Sequence, residues 1–303
     1  MSSFVLFINL AVIISFLSTV MSIMIFFSDA ELDAFLLEDV YRGDLTTRMM
    51  GIGHVPAKMT FRRKNAGRIA GITVATQVLK KLGLEPTVFV EDGVDVEAGT
   101  LLIQVTGRAE LLHQGWKVTQ VIMEWSCGVA QYMADMVSRA RAVNPNAIVA
   151  CTRKCVPGSR KLATAAVIAG DGHIHRAGAS ETVLVFANHS RLLDAYQNEQ
   201  QLESLGQKLP ENRVTIEADN LDHLQKILPL NPDIIQLDKF SLQEVELAKS
   251  MLAQTGQSSI LSLAGGVNRD NISDFAKTGL NLFITSAPYY AGPEDIKVVI
   301  DKA

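Results

Sequence analysis

The segment T-R-K-x-x-P-G-x-R places Arg153, Lys154 and Arg160 around Pro157 and Gly158, three cations on a single turn. Such a cluster suits a carboxylate or a phosphate, because arginine offers planar bidentate contacts and lysine a point charge. A Gly-rich stretch, G-D-G-H-I-H-R-A-G, adds His173, His175 and Arg176. Gly265-Gly266 puts backbone N–H groups ahead of a helix opening near Asn268, an arrangement that can cradle phosphate. Glu217 and Asp238 supply carboxylates, and Ser286 closes a further apolar run. Carboxylates beside so many cations make sense if they hold Mg2+ or sugar hydroxyls. The whole set suits a reaction of a sugar pyrophosphate. Loss of pyrophosphate leaves an oxocarbenium-like ribose that carboxylates stabilise, while Mg2+ and Lys154 neutralise the leaving group.

Each of these residues also has a purely structural reading. Arg153 and Lys154 can be solvated loop charges, His175 a satisfied core histidine, and His189 a barrel-end residue. Glu217 and Asp238 can cap helices or pair with Lys239, and Lys117 can be an ordinary helix-surface lysine. Trp116 and Trp125, at helical offset, read as core.

What raises the functional reading is where these groups fall. From residue 146 short apolar runs recur, NAIVACTRK, TVLVFANH, VTIEAD, DIIQLDK, SILSLAGG and NLFITSA, each closed by polar or small residues. Helical segments lie between them, including 190–209 and an Asn268–Gly279 stretch with Asn in front and Gly behind. Apolar strands alternating with helices predict βα units and a parallel sheet, and six units in so short a span suit a barrel. Reactive groups of a barrel sit where strands end and loops begin, which is where Arg153, Lys154, Asn188, His189, Glu217, Asp238, Gly265, Gly266 and Ser286 stand. Upstream, S-x-x-E at Ser28–Glu31 predicts a capping box and a fresh helix start. Strands are predicted at 57–64, 67–72 and near PTVFVE and TLLIQVT, with a helix over TVATQVLKKLG and a long helix over 108–139.

Composition narrows the class. The 303 residues are 48% hydrophobic and 20% charged with a net charge of -4, so a large core is affordable and a nucleic-acid-binding face is not expected. Three cysteines do not make a disulfide framework, which fits a reducing cytoplasm. The C-x-x-x-C of Cys151 and Cys155 lacks a second ligand pair at zinc spacing. The first 27 residues differ: Phe4 to Phe27 carry no charge and are long enough to span a bilayer. They read either as an N-terminal membrane anchor or as a mis-assigned start, with translation beginning at Met21 or Met24. Neither a basic region nor a small-residue cleavage site marks a signal peptide.

Several motifs in order make a family visible. The chain resembles the quinolinate phosphoribosyltransferases (nicotinate-nucleotide pyrophosphorylase, carboxylating). The matching segments are E-D-x-x-x-G-D-x-T-T at Glu38 to Thr47, T-R-K-x-x-P-G-x-R at Thr152 to Arg160, H-R-x-G at His175 to Gly178, N-H at Asn188-His189, I-E-A-D around Glu217, L-D at Leu237-Asp238 and G-G-V at Gly265 to Val267. The likeness runs from about residue 24 almost to the end and is similar in particular to the branch called ModD, associated with molybdate-transport genes.

The resemblance implies an α/β architecture: an incomplete (β/α) barrel of the type II phosphoribosyltransferase kind over 131–291, and an N-terminal α/β sandwich domain over 28–130 rejoined by 292–303. It implies a homodimer in which one N-terminal domain covers the partner's site, phosphoribosyl pyrophosphate as donor, a small aromatic acid as acceptor, and Mg2+. By position, Arg153, His175 and Arg176 would bind the acceptor, joined by Lys117. Lys154, Glu217 and Asp238 would face the ribose pyrophosphate and metal. Arg160, Gly265, Gly266 and Ser286 complete the expected substrate contacts.

The departures are specific. The family's arginine in the long helix is Lys117, the lysine expected two residues before Asn188 is Phe186, the aspartate after it is Ala187, and Leu-Asp-Asn is Leu237-Asp238-Lys239. Two cationic contacts to a pyridine dicarboxylate are weakened or gone, which predicts a conserved donor site and a changed acceptor. A contrasting expectation is a non-catalytic anion-binding accessory protein of molybdate uptake, built on the same cations.

Overall fold

A computed structural model describes residues 25–303. The apolar stretch read as anchor or false start lies, up to residue 24, outside the described residues. Ser28 accepts from the Glu31 backbone while Glu31 reaches back to the Ser28 N–H at 2.8 Å, the predicted capping box, and it opens α1 (Asp29–Val40). α2 (Leu45–Met49) is capped by Asp44, whose carboxylate accepts from Thr47 N at 2.6 Å, so the acidic-threonine motif there serves as a local cap. The hydrogen bonds from Thr47 hold the Asp44 carboxyl below its usual range.

β1 (Pro56–Arg63), the short β2 (Gly67–Arg68), α3 (Ile72–Lys81), β3 (Thr87–Val88), β4 (Asp95–Val96) and β5 (Leu101–Arg108) follow. The predicted strand 67–72 shrinks to two residues because Gly71, at φ +87, turns the chain into α3. Asp92 caps that helix from a distance, accepting from Ile72 N at 2.8 Å and Thr73 Oγ1 at 2.7 Å. α4 (Ala109–Arg141) runs 33 residues and passes along both halves of the molecule. A Cβ at its Gly128 would strike the Gly292 carbonyl, so the helix needs glycine where the C-terminal segment crosses it.

The second half contains β6 (Ile148–Cys151), α5 (Arg160–Ala169), β7 (His173–Ile174), β8 (Val183–Val185), α6 (Ala187–Ser190), α7 (Ala195–Lys208), β9 (Val214–Ala218), α8 (Leu221–Ile227), β10 (Ile234–Asp238), α9 (Leu242–Thr255), β11 (Ile260–Ala264), α10 (Ile272–Lys277) and β12 (Leu282–Thr285). The seven strands form one parallel sheet in the order β7-β6-β12-β11-β10-β9-β8. Its edges are β7 and β8, consecutive in the chain yet unpaired with each other. The barrel is therefore incomplete and opens at that seam. β13 (Ile296–Lys302) returns to pair antiparallel with β1 in a four-stranded sheet ordered β13-β1-β5-β3.

Alternation along the barrel strands separates two faces. Val149, Cys151, Ile216, Ile235, Leu237, Leu263 and Phe283 pack into the large core beneath the helices. The intervening residues point to the opposite, inner face, and there the row is polar: Glu217 pairs in register with Gln236, and Gln236 with Ser262.

Two expectations change in detail. The helix expected over 190–209 begins only at Ala195, because α6 ends at Ser190 and Asp194 starts a new capping box. The helix expected from Asn268 begins at Ile272, since Asn268 and Asn271 turn their side-chain N–H groups onto the Gly266 carbonyl at 3.1 and 2.9 Å.

Candidate active site

The strand ends deliver the polar groups to two adjoining cavities. The first, about 540 Å3, lies along the open seam and is lined by Arg153 and Arg176 together with Val183, Leu184, Phe186 and His189. The second, about 470 Å3, is lined by Glu217, Asp219, Asp238, Lys239 and Arg191. Phe186 and Asn188 belong to both and form the wall between them.

The first cavity is cationic. Among the described residues no ion pair neutralises Arg153 or Arg176. Burial and then the nearby Arg153 charge depress the Arg176 pKa. Arg176 lies over the Phe186 ring at 5.7 Å, and that ring stacks on His189 with centroids 5.8 Å apart. The His189 ring is fixed by accepting from Phe186 N at 3.0 Å. His175, a half-buried neighbour, is pushed below its ordinary pKa by burial and then by Arg176, so its neutral ring is favoured. Glu181 also lines the cavity, with its carboxylate committed to the Ala177 N–H at 2.6 Å.

The second cavity holds the carboxylates. Glu217 accepts from Gln236 Nε2 at 2.7 Å. Burial raises its pKa, the Asp238 and Asp219 charges raise it further, and Gln236 and Lys154 oppose them. Lys154 is thus close enough to Glu217 to be felt electrostatically. The loop carrying Arg153 and Lys154 is braced from behind: Tyr289 Oη donates to Thr152 O at 2.8 Å and Tyr290 Oη to Lys154 O at 3.1 Å. Gly265 and Gly266 both take left-handed φ, +81 and +80. A Cβ at Gly265 would sit 2.6 Å from Asp238 Oδ1 and 2.5 Å from Lys239 Cγ.

Glu217 and Asp238 therefore share one lining, with Lys154 in electrostatic reach of Glu217, and Arg153 and Arg176 share the other, with His175 in reach of Arg176. Other expected residues stand off from the two linings. Arg160 opens α5 and lies within electrostatic reach of Tyr289. Ser286 precedes the 3-10 turn Ala287–Tyr290 that braces the cationic loop. Lys117 is on the outer face of α4, 4.7 Å over the Trp116 ring and 3.0 Å from Gln120 Oε1. His173 is exposed on β7. Cys151 is buried with its thiol pushed up to about 12 by burial, and among the described residues no cluster of His, Cys, Asp and Glu is arranged to hold a metal by protein ligands alone.

Two family models cover nearly all of this architecture: the quinolinate phosphoribosyl transferase N-terminal domain over 44–127 and its C-terminal domain over 129–299. The chain belongs to the quinolinate phosphoribosyl transferase family. Within the family it is 56% identical over 280 residues to a candidate pyrophosphorylase of Pasteurella multocida, ModD, covering 92% of this chain and 99% of that one. A candidate carboxylating nicotinate-nucleotide pyrophosphorylase of Methanocaldococcus jannaschii is 28% identical over 82% of this chain and 88% of its own. The fold matches NadC from Streptococcus pyogenes with a TM-score of 0.81 at 24% identity, over 91% of this chain and 96% of that one. The ring of strand ends therefore belongs to a phosphoribosyltransferase framework.

Seen in that framework, the residues that sequence reasoning passed over are the supports. Gln236 could have been found, since it stands two residues before Asp238 on the same face. Tyr289 and Tyr290 carry no local signal, because their partners lie 137 and 136 residues away.

Proposed function

We propose that this chain transfers ribose 5-phosphate from phosphoribosyl pyrophosphate to the ring nitrogen of a heteroaromatic acid. The observation that carries this reading is the division of charge across one shared wall: two unpaired guanidiniums on one side of Phe186 and Asn188, and Glu217 with Asp238 on the other. The acid's carboxylate would sit against Arg153 and Arg176, with neutral His175 donating a hydrogen bond and the Phe186 ring covering the heterocycle's face. The ribose would lie against Glu217. In the transfer, the acceptor nitrogen's lone pair forms the bond to C1′ as the bond to the diphosphate oxygen breaks, and pyrophosphate leaves with that electron pair. Glu217 stabilises positive charge developing on the ribose, and Lys154 the negative charge on the leaving group. Oxygen donors on Glu217 and Asp238, too few to hold a metal unaided, fit Mg2+ that shares its shell with donor phosphates. Bound there, Mg2+ would neutralise the diphosphate.

Phe186 bears on the acceptor. It lines the cavity beside Arg153 and Arg176, so one carboxylate of an acceptor finds cations and a second meets an aromatic ring. An acid other than quinolinate, with a single carboxylate, suits this pocket. The exposed position of Lys117 on α4 suits a contact made across a homodimer, to the partner's site. A simple oxyanion receptor for molybdate uptake is disfavoured, since the cationic cavity alone would serve it and the adjoining carboxylates Glu217 and Asp238 would add nothing. Among the described residues no helix is long and apolar enough to cross a membrane.

The test is release of pyrophosphate from phosphoribosyl pyrophosphate and Mg2+ across a panel of heteroaromatic mono- and dicarboxylic acids. Release with a monocarboxylic acid in preference to quinolinate supports the proposal. No release with any acid, together with tight molybdate binding, replaces it with the receptor reading.

A further inference from the structure

Three non-glycine residues in the described chain have positive φ: Asp171 at 60°, Asn231 at 45° and Lys239 at 60°. Asp and Asn adopt the left-handed region with little penalty, because their short side chains bond locally. Lys239 has no such excuse. A strained backbone survives only where its surroundings enforce it, and such positions concentrate where chains do chemistry.

The enforcement here is explicit. Lys239 N donates to Ala264 O at 2.7 Å, extending the β10–β11 ladder one residue past its end. Directly opposite, Gly265 leaves the space that the lysine stem occupies. A Cβ there would lie 2.5 Å from Lys239 Cγ and 3.0 Å from Lys239 N. Two neighbouring strand ends are thus shaped around this one side chain. Lys239 lines the carboxylate cavity together with Arg191, and its ammonium stands 3.4 Å from Asp238 Oδ2 with 77% of the side chain exposed. An exposed ion pair between sequence neighbours contributes little stability, so it does not account for the strain.

We propose that Lys239 is a catalytic residue that contacts the donor, its ammonium hydrogen-bonding phosphate oxygens of phosphoribosyl pyrophosphate and neutralising the departing diphosphate. The inference rests on the phosphoribosyl-transfer reading above. Lys239 acts through its charge and takes no part in bond making. Its left-handed backbone sets the stem against Gly265, which brings the cation into the lining of a cavity that also holds Glu217, Asp219 and Asp238. In the free protein Asp238 holds the ammonium in place. With donor bound, the phosphates compete for it.

The experiment compares wild type, Lys239→Asn and Lys239→Arg in the full-length chain, by thermal melting and by calorimetric titration of phosphoribosyl pyrophosphate with Mg2+. Asparagine relieves the backbone, so Lys239→Asn is expected to melt at or above the wild-type temperature. It is nevertheless expected to bind the donor roughly tenfold more weakly, the loss of one charge-assisted contact. Lys239→Arg keeps the charge and is expected to recover part of that affinity. Donor affinity in Lys239→Asn within about twofold of wild type would leave Lys239 as a surface partner of Asp238 and overturn the inference. So would a lower melting temperature with loss of binding that arginine does not rescue. A wild-type chain that binds no donor fails at an earlier step and removes the donor site itself.

Discussion

At the scale of single residues, the chemistry depends on which side of Phe186 a charge stands. Arg153 and Arg176 face one cavity with no ion-pair partner among the described residues, and the ring that separates them from Glu217 and Asp238 has Arg176 over it and is stacked with His189. Exchanging Phe186 for lysine adds a cation to the acceptor cavity. Phe186→Lys is expected to raise affinity for a pyridine dicarboxylate roughly tenfold relative to a monocarboxylate, the scale of one charge-assisted contact, read by calorimetric titration of both acids. His175 gives a pH prediction. Burial and Arg176 depress its pKa in the folded protein. As pH falls, the unfolded chain therefore takes up this proton first, from about 6.5 downward, and the folded state loses stability over that window. Above it the contribution is constant. His175→Asn should flatten the decline in melting temperature between about pH 8 and about pH 5.5, and an unchanged slope would show that His175 is not perturbed.

At the scale of elements, the strand ends act as a jig. β9 and β10 present Glu217 and Asp238 on one face by alternation, and β11 ends in Gly265, whose missing side chain leaves room for Asp238 and Lys239. Gly265→Ala forces a Cβ into that space at a left-handed φ. It is expected to cost about 1–3 kcal/mol in urea unfolding and to weaken donor binding by displacing Asp238. The sequence made much of this jig legible. Apolar runs closed by polar residues located six of the barrel strands and their functional ends, because each strand is long enough to show a pattern. β7 escaped, since two residues, His173–Ile174, inside a Gly-rich stretch have no periodicity, and its loss hid where the barrel opens. The strain at Lys239 was equally invisible, because φ follows from the ladder bond to Ala264 rather than from residue type. Helix ends were read well where a side chain caps them, as at Ser28, and misplaced where asparagines instead close a loop onto Gly266.

At the scale of the molecule, the two halves are joined by groups far apart in sequence. Arg63, fully buried at the end of β1, donates to Glu294 Oε2 at 3.0 Å across 231 residues. No local pattern announces that pair, and it fastens the returning C-terminal segment to the first sheet beside β13. Glu294→Ala leaves a buried guanidinium whose one remaining hydrogen-bond partner among the described residues is the Asp295 carbonyl, at 3.4 Å. The expected loss is about 3 kcal/mol, at the low end for a broken buried pair because Glu294 is 32% exposed. A shifted urea midpoint with unchanged slope is the readout. The account as a whole stands on one donor pocket assembled from separate strands. The most direct measurement is calorimetric titration of phosphoribosyl pyrophosphate with Mg2+ into the wild-type chain and into Lys154→Met. The account predicts one site per chain in the wild type and affinity reduced at least about tenfold in the variant. Equal binding by both, or none by the wild type, would contradict it.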